Sequence, residues 1–260
     1  MLAFGVTYHK NHDLAALSDE VWAKSMPGFV WYSTAPDERL RGRLIVLDHC
    51  LEPTYGNMTY RMIEIWSHVW HHWHGYSWYM RLWDDNWVDV HRMLRAAMIR
   101  HDLTDSRGYS ELALFGRLGG SPVYPGHLYA GGGAGSFLSG AAARAWMGHP
   151  SSLAGITACL NFVEPLAPEF RFAEDVHLTE CQLQVGVKLF LVPGLSAYGF
   201  GVPTEMEPWN KVTPDDIRCR RPFQEVPQEM PSPFITMHYM REAQLLRIRD
   251  ILRDPCPSNQ

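Results

Sequence analysis

The stretch WYMRLWDDNWV, residues 78–88, carries an apolar, aromatic run straight into two adjacent carboxylates, Asp84 and Asp85. Residues 77–83 read as a strand, and a strand that ends on paired acids has two readings. Asp and Asn close turns through local hydrogen bonds, and spacing alone favours that turn. In open α/β sheets, however, ligands gather outside the carboxyl ends of strands. Carboxylates there suit Mg²⁺ or Mn²⁺, hard cations that take oxygen ligands and bridge to phosphates. Adjacent like charges repel and a buried carboxylate needs a partner, so the pair requires an explanation either way.

Outward from this stretch, strand and helix patterns alternate. Residues 2–8 (LAFGVTY) read as a buried opening strand. Asn11 and Asp13 follow as a helix cap, with Leu14, Leu17, Val21 and Trp22 on one helical face. Residues 29–32 and 44–47 read as strands. Residues 58–73 have helical spacing at Met58, Met62, Ile65, Trp66, Val69 and Trp73. A helix is expected over 89–99, short helices near 141–147 and from Glu174, and a long Pro-rich, charged excursion over 202–233. A β-like run over 234–240 and an amphipathic helix over 242–252 close the chain. The alternation predicts an α/β layer architecture, with a mainly parallel central sheet flanked by helices.

Composition excludes some functions. A chain of 260 residues, 46% hydrophobic and 20% charged, has enough apolar residues for a sizeable core and suits a single domain. The net charge of -5 gives no electrostatic footprint for nucleic acid. No long apolar run is free of charges, and the N-terminus lacks a signal-peptide pattern, so no membrane span and no leader are expected. The 5 cysteines are scattered and odd in number, which leaves disulfides and compartment open.

Other candidates are ambiguous one by one. His68, His71, His72 and His74 resemble a metal cluster, but HVWHH lacks the glutamate of HExxH and reads as an aromatic-rich helix end. The segment GGGAG, residues 131–135, either cradles phosphate, bends tightly or lets a backbone approach closely. Glu174 and Asp175 open a helix, where acids are favoured by the dipole, or aim a general base into a cleft. His238 stands in an apolar run and reads there as a core residue. There is no GxSxG and no cysteine in a nucleophile context.

Their order is more specific. The stretch 78–88, then GGGAGSFLS from Gly131, then Glu174-Asp175-Val176 with Cys181 and Gly186 after it, then His238-Tyr239, resembles the Fringe and core-1 galactosyltransferase group. These are the β1,3-glycosyltransferases of glycosyltransferase family 31, and the likeness spans about residues 3–240. The resemblance implies a GT-A fold, with a nucleotide-binding half over about 1–90, an acceptor-binding half over about 110–240 and a C-terminal helix and tail over 241–260. It implies a UDP-sugar donor, Mn²⁺ (or Mg²⁺) and an inverting transfer of a hexose, N-acetylhexosamine or pentose to a glycan or glycoprotein hydroxyl. Carried over by position, Asp85 and His238 hold the metal and Asp175 is the catalytic base. Thr7, Tyr8, Trp83, Asp84, Asp85, Gly132 and Gly133 face the donor, the glycines within a loop that lines the sugar and acceptor.

Two features depart from the family. Trp83 stands where the first of three acids is expected, and no membrane anchor accompanies the chain. A cytoplasmic site is implied if the chain is full length, and the Golgi lumen if it is the ectodomain of a type II protein. A catalytically silent glycan- or nucleotide-binding relative and a metal-dependent phosphoester hydrolase are the alternatives. Donor sugar and acceptor are not specified.

Overall fold

The computed structural model of the chain describes residues 1–47, 57–90, 93, 103–152, 154–165, 173–192, 195–196 and 236–253. The helix expected over 89–99, apart from Asp89, Val90 and Met93, and the excursion over 202–233 lie outside these residues. So do Cys50, Cys219, Cys256, Phe234 and Ile235.

Strands β1 (Leu2–Val6), β2 (Phe29–Ser33), β3 (Leu44–Val46), β4 (Trp78–Trp83), β6 (Ala113–Gly120), β7 (Leu128–Ser139) and β8 (Lys188–Leu191) form one 7-stranded sheet. Its order is β3-β2-β1-β4-β7-β6-β8. Parallel pairing joins β1 to β2 and β4, β2 to β3, and β6 to β8, while β7 runs antiparallel to β4 and β6. A second sheet of 3 short strands sets β10 (Thr236–Met237) between β5 (Trp87–Val88) and β9 (Leu195–Ser196). The chain is therefore α/β, with a mostly parallel mixed sheet.

Helices cover both faces of the large sheet, so its strands bury alternate residues on either side. On one face α1 (His12–Val21) and α7 (Glu242–Arg253) pack together over Ala3, Phe29, Trp31, Trp78 and Met80. The opposite face packs Leu2, Phe4, Val6, Tyr32 and Tyr79 with α2 (Met58–Trp73). Edge-to-face contacts of Trp22, Phe29 and Trp31 fill the first layer, and Phe4, Tyr32 and Trp66 pack the same way in the second. Gly5 is a packing necessity, because a Cβ there would overlap the Trp31 ring.

Further helices are α3 (Asp105–Ser110), α4 (Gly140–Met147), α5 (Ala154–Val163) and α6 (Glu174–Leu183). A disulfide between Cys159 and Cys181 ties α5 to α6 and answers what cysteine spacing left open. Among the described residues no helix is long and apolar enough to cross a membrane.

Two expectations change. Residues 131–135 form no loop: they lie inside the 12-residue strand β7, where missing side chains let other groups cross the sheet closely. Asn11 sits at the N-cap of α1 without a side-chain capping bond, because its side chain is engaged by Asp84 instead.

Candidate functional site

The strand order reverses between β1 and β4, since the chain runs outward through β2 and β3 and returns to the other side of β1. That is the topological switch point at which open α/β sheets bind ligands. The register pairs Val6 with Trp83, and the Asp84 N–H donates to the Val6 carbonyl at 3.0 Å. Thr7 and Asp84 thereby meet side by side, with Thr7 Oγ1 donating to Asp84 Oδ2 at 2.7 Å.

The two acids then part company. Asp84 is buried and also takes hydrogen bonds from the Asn11 side chain and the Tyr8 backbone. Burial, with the neighbouring charge of Asp85 adding to it, pushes its carboxyl up to about 7 against those bonds. The Asp85 side chain, by contrast, is partly open to solvent. The turn is closed by Asn86, whose Oδ1 accepts from the Trp83 N–H at 2.6 Å and whose Nδ2 donates to the Gly133 carbonyl at 2.8 Å. The turn expected from the Asp and Asn residues is present.

His238 reaches Asp85 through the small sheet. Thr236 and Met237 pair with Val88 and Trp87, Thr236 Oγ1 donates to the Ala134 carbonyl, and the Met240 N–H donates to the Asp85 carbonyl at 2.9 Å. His238 Nε2 then lies 3.3 Å from Asp85 Oδ1. Gly133 makes room for this, since a Cβ there would overlap the imidazole. Tyr239 follows in the left-handed region at φ 59. Its ring lies 3.8 Å from that of His238, and the residue is 60% exposed at the cleft.

The third component comes from the start of α6. The Asp175 carboxylate accepts from the Gly132 N–H through Oδ2 at 3.0 Å and from the Val176 N–H through Oδ1 at 2.9 Å. Glu174, buried, accepts from the Asp175 N–H and faces Arg81 of β4, Oε1 to Nη1, at 3.1 Å. Burial and the Asp175 charge together push the Glu174 carboxyl up to about 8, outweighing the opposing pull of Arg81. Gly132 clears the way for this contact, because a Cβ would strike the guanidinium.

These parts surround one cleft of about 380 Å³, within the size range of small-molecule sites. Tyr8, Trp83, Asp84, Asp85, Gly133, Asp175 and His238 line it, while Thr7 and Gly132 bond to lining residues from one layer behind. Sequence reasoning missed Asn11, Met58, Pro122 and Tyr129, which also line the cleft, and gave Arg81 no role. Arg81 had a legible signal, a charge inside a strand of otherwise apolar residues. The histidines of α2 lie elsewhere: His68 pairs with the Tyr32 hydroxyl at 3.0 Å and packs on His72.

Asp85 and His238 are suited to a divalent ion. Their facing atoms are 3.3 Å apart, close to the spacing of neighbouring ligands in a six-coordinate shell with bonds of about 2.1–2.2 Å. Among the described residues no group of 3 or more His, Cys, Asp or Glu is arranged to hold a metal. The pair would therefore supply two positions and leave the others to phosphate oxygens and water, the arrangement Mg²⁺-type ions favour. Comparison with protein-family models finds none that matches the chain, and comparison with curated proteins finds no match either.

Proposed function

We propose that the chain is an inverting, metal-dependent glycosyltransferase. It moves a hexose, N-acetylhexosamine or pentose from a UDP-sugar to a hydroxyl of a glycan or glycoprotein. One observation carries this reading: a metal-competent pair, Asp85 and His238, and a separately held carboxylate, Asp175, converge on a single cleft at the sheet's switch point. The order β3-β2-β1-β4 with a cleft at the ends of β1 and β4 also suits a nucleotide-binding half and supports the GT-A reading.

In this reading Asp85 and His238 would hold Mn²⁺ or Mg²⁺, which would offset the charge on the departing diphosphate. Tyr8 and Trp83 wall the donor side of the cleft. Asp175 accepts the proton of the acceptor hydroxyl as that oxygen bonds to the anomeric carbon. The bond from the anomeric carbon to the phosphate oxygen breaks in the same displacement, and UDP leaves with the electron pair. Attack from the face opposite UDP inverts the configuration, and no enzyme-bound sugar forms. Trp83 replaces an acid with an aromatic wall, so donor contacts at this position are apolar.

A screen of UDP-sugars with simple glycosides tests the reading. Mn²⁺-dependent UDP release with one donor, lost in Asp175→Asn, supports it. Donor binding without turnover by any acceptor would identify a silent binding protein. Phosphate release from simple esters, indifferent to sugar nucleotides, would identify a hydrolase.

A further inference from the structure

A buried arginine within a central strand is expensive, and a buried ion pair is weak grounds for stability, because apolar residues of similar volume often do as well. Arg81 nonetheless lies at 3% exposure in β4, against Glu174 at 7%. The contact is not optimised as a pair, since Arg81 Nε and Nη1 lack a well-aligned hydrogen-bond partner within the protein. What the two residues touch is more telling. Glu174 Oε2 takes the N–H of Asp175, and Arg81 fills the space directly beneath Gly132, whose own N–H holds Asp175 Oδ2. Asp175 also lines both the cleft and a small second pocket of about 10 Å³, whose wall includes Arg81, Ser136, Thr179 and Gln182. Asp175 thus faces the cleft while sharing the second pocket with Arg81.

We propose that Arg81 and Glu174 are positioning residues that aim the Asp175 carboxylate into the cleft by fixing both of the backbone segments that hold it. The inference rests on the assignment of Asp175 as the base. It goes beyond that assignment by explaining why β4 carries an arginine at position 81 and why β7 carries a glycine at position 132. Misplacing a reacting group by about 1 Å can cost about a hundredfold in rate, so a buried pair that never meets substrate can govern turnover.

Arg81→Met keeps the length of the side chain, and the buried Glu174 left behind, whose carboxyl burial already raises, can take up a proton in place of the lost partner, so the variant is expected to fold. Its kcat should fall about 30-fold or more, while the KM for the UDP-sugar moves by less than about threefold. Glu174→Ala should behave alike. Glu174→Gln, whose single carbonyl still accepts from the Asp175 N–H, should recover kcat to well above that of Glu174→Ala. A crystal structure of Arg81→Met should show Asp175 Oδ2 displaced from the Gly132 N–H by about 1 Å or more. Unchanged kcat in Arg81→Met, failure of Glu174→Gln to rescue, or Asp175 still 3.0 Å from the Gly132 nitrogen would each overturn the proposal. Absence of UDP release from every UDP-sugar in the parent would instead defeat the glycosyltransferase reading, and the crystallographic comparison would then decide the positioning role alone.

Discussion

Asp84 and Asp85 are neighbours in sequence and opposites in environment. Asp84 is buried and bonded to Thr7 at the wall of the cleft, while Asp85, partly open to solvent, lies beside His238 at 3.3 Å. Asp85→Asn should therefore abolish Mn²⁺-dependent UDP binding in calorimetry. Asp175→Asn should leave that binding in place and cut turnover about 10²–10⁴-fold, the range of a lost general base. Glu174 makes a different prediction. Its carboxyl rises from an ordinary 4.5 to about 8 in the fold. Between these pH values the folded chain holds a proton that the unfolded chain releases, so the folded state binds more protons. The stabilisation is full below pH 4.5 and is lost as pH rises through about 8. Urea melts of the metal-free protein across this window should show declining stability, and Glu174→Gln, which cannot ionise, should flatten the decline. A decline of equal slope in the variant would remove Glu174 as its source.

At the scale of elements, the glycine strand and the helix behind it decide whether the site assembles. Strand β7 lacks side chains where His238 and Arg81 cross it, and only particular glycines are needed for this. Gly133→Ala drives a methyl into the imidazole and should weaken Mn²⁺-dependent UDP binding at least tenfold, with an overpacking cost of about 1–3 kcal/mol. Gly131→Ala meets only ordinary contacts, with the Arg117 carbonyl nearest at 3.5 Å, and should be tolerated. Helix α6 carries Glu174 and Asp175 at its start and is tied to α5 by Cys159–Cys181, a bridge across 22 positions. Opening a bridge of that span costs about 3 kcal/mol, so denaturation with and without reductant should differ by that order. Much of this was hidden from the sequence. GGGAG reads as a bend because glycine is depleted in strands, and it takes the distant Arg81 and His238 to reveal why a strand would tolerate it. Likewise AGITACLNFV, now α5, is an apolar run without clear period, which cannot be told from a buried strand.

The whole molecule is organised around the reversal of strand order at β1. Strands β1, β2 and β4 and helices α1 and α2 were legible because large apolar residues mark them as buried on a sheet or along a helix stripe. Asp85, Asp175 and His238 line one cleft, and no local pattern would have joined residues so far apart. What the motif order did not convey was the support beneath them: Arg81, Asn11 and Asn86 act through contacts set by three-dimensional register. The same geometry makes Asp85 and His238 the point on which the proposed function turns. The most direct test is a crystal structure with UDP and Mn²⁺ bound. The account predicts one ion in the cleft, with an Asp85 carboxylate oxygen and His238 Nε2 each about 2.1–2.3 Å from it and the diphosphate on its remaining positions. An ion more than about 3 Å from either atom, or UDP bound away from the ends of β1 and β4, would contradict it.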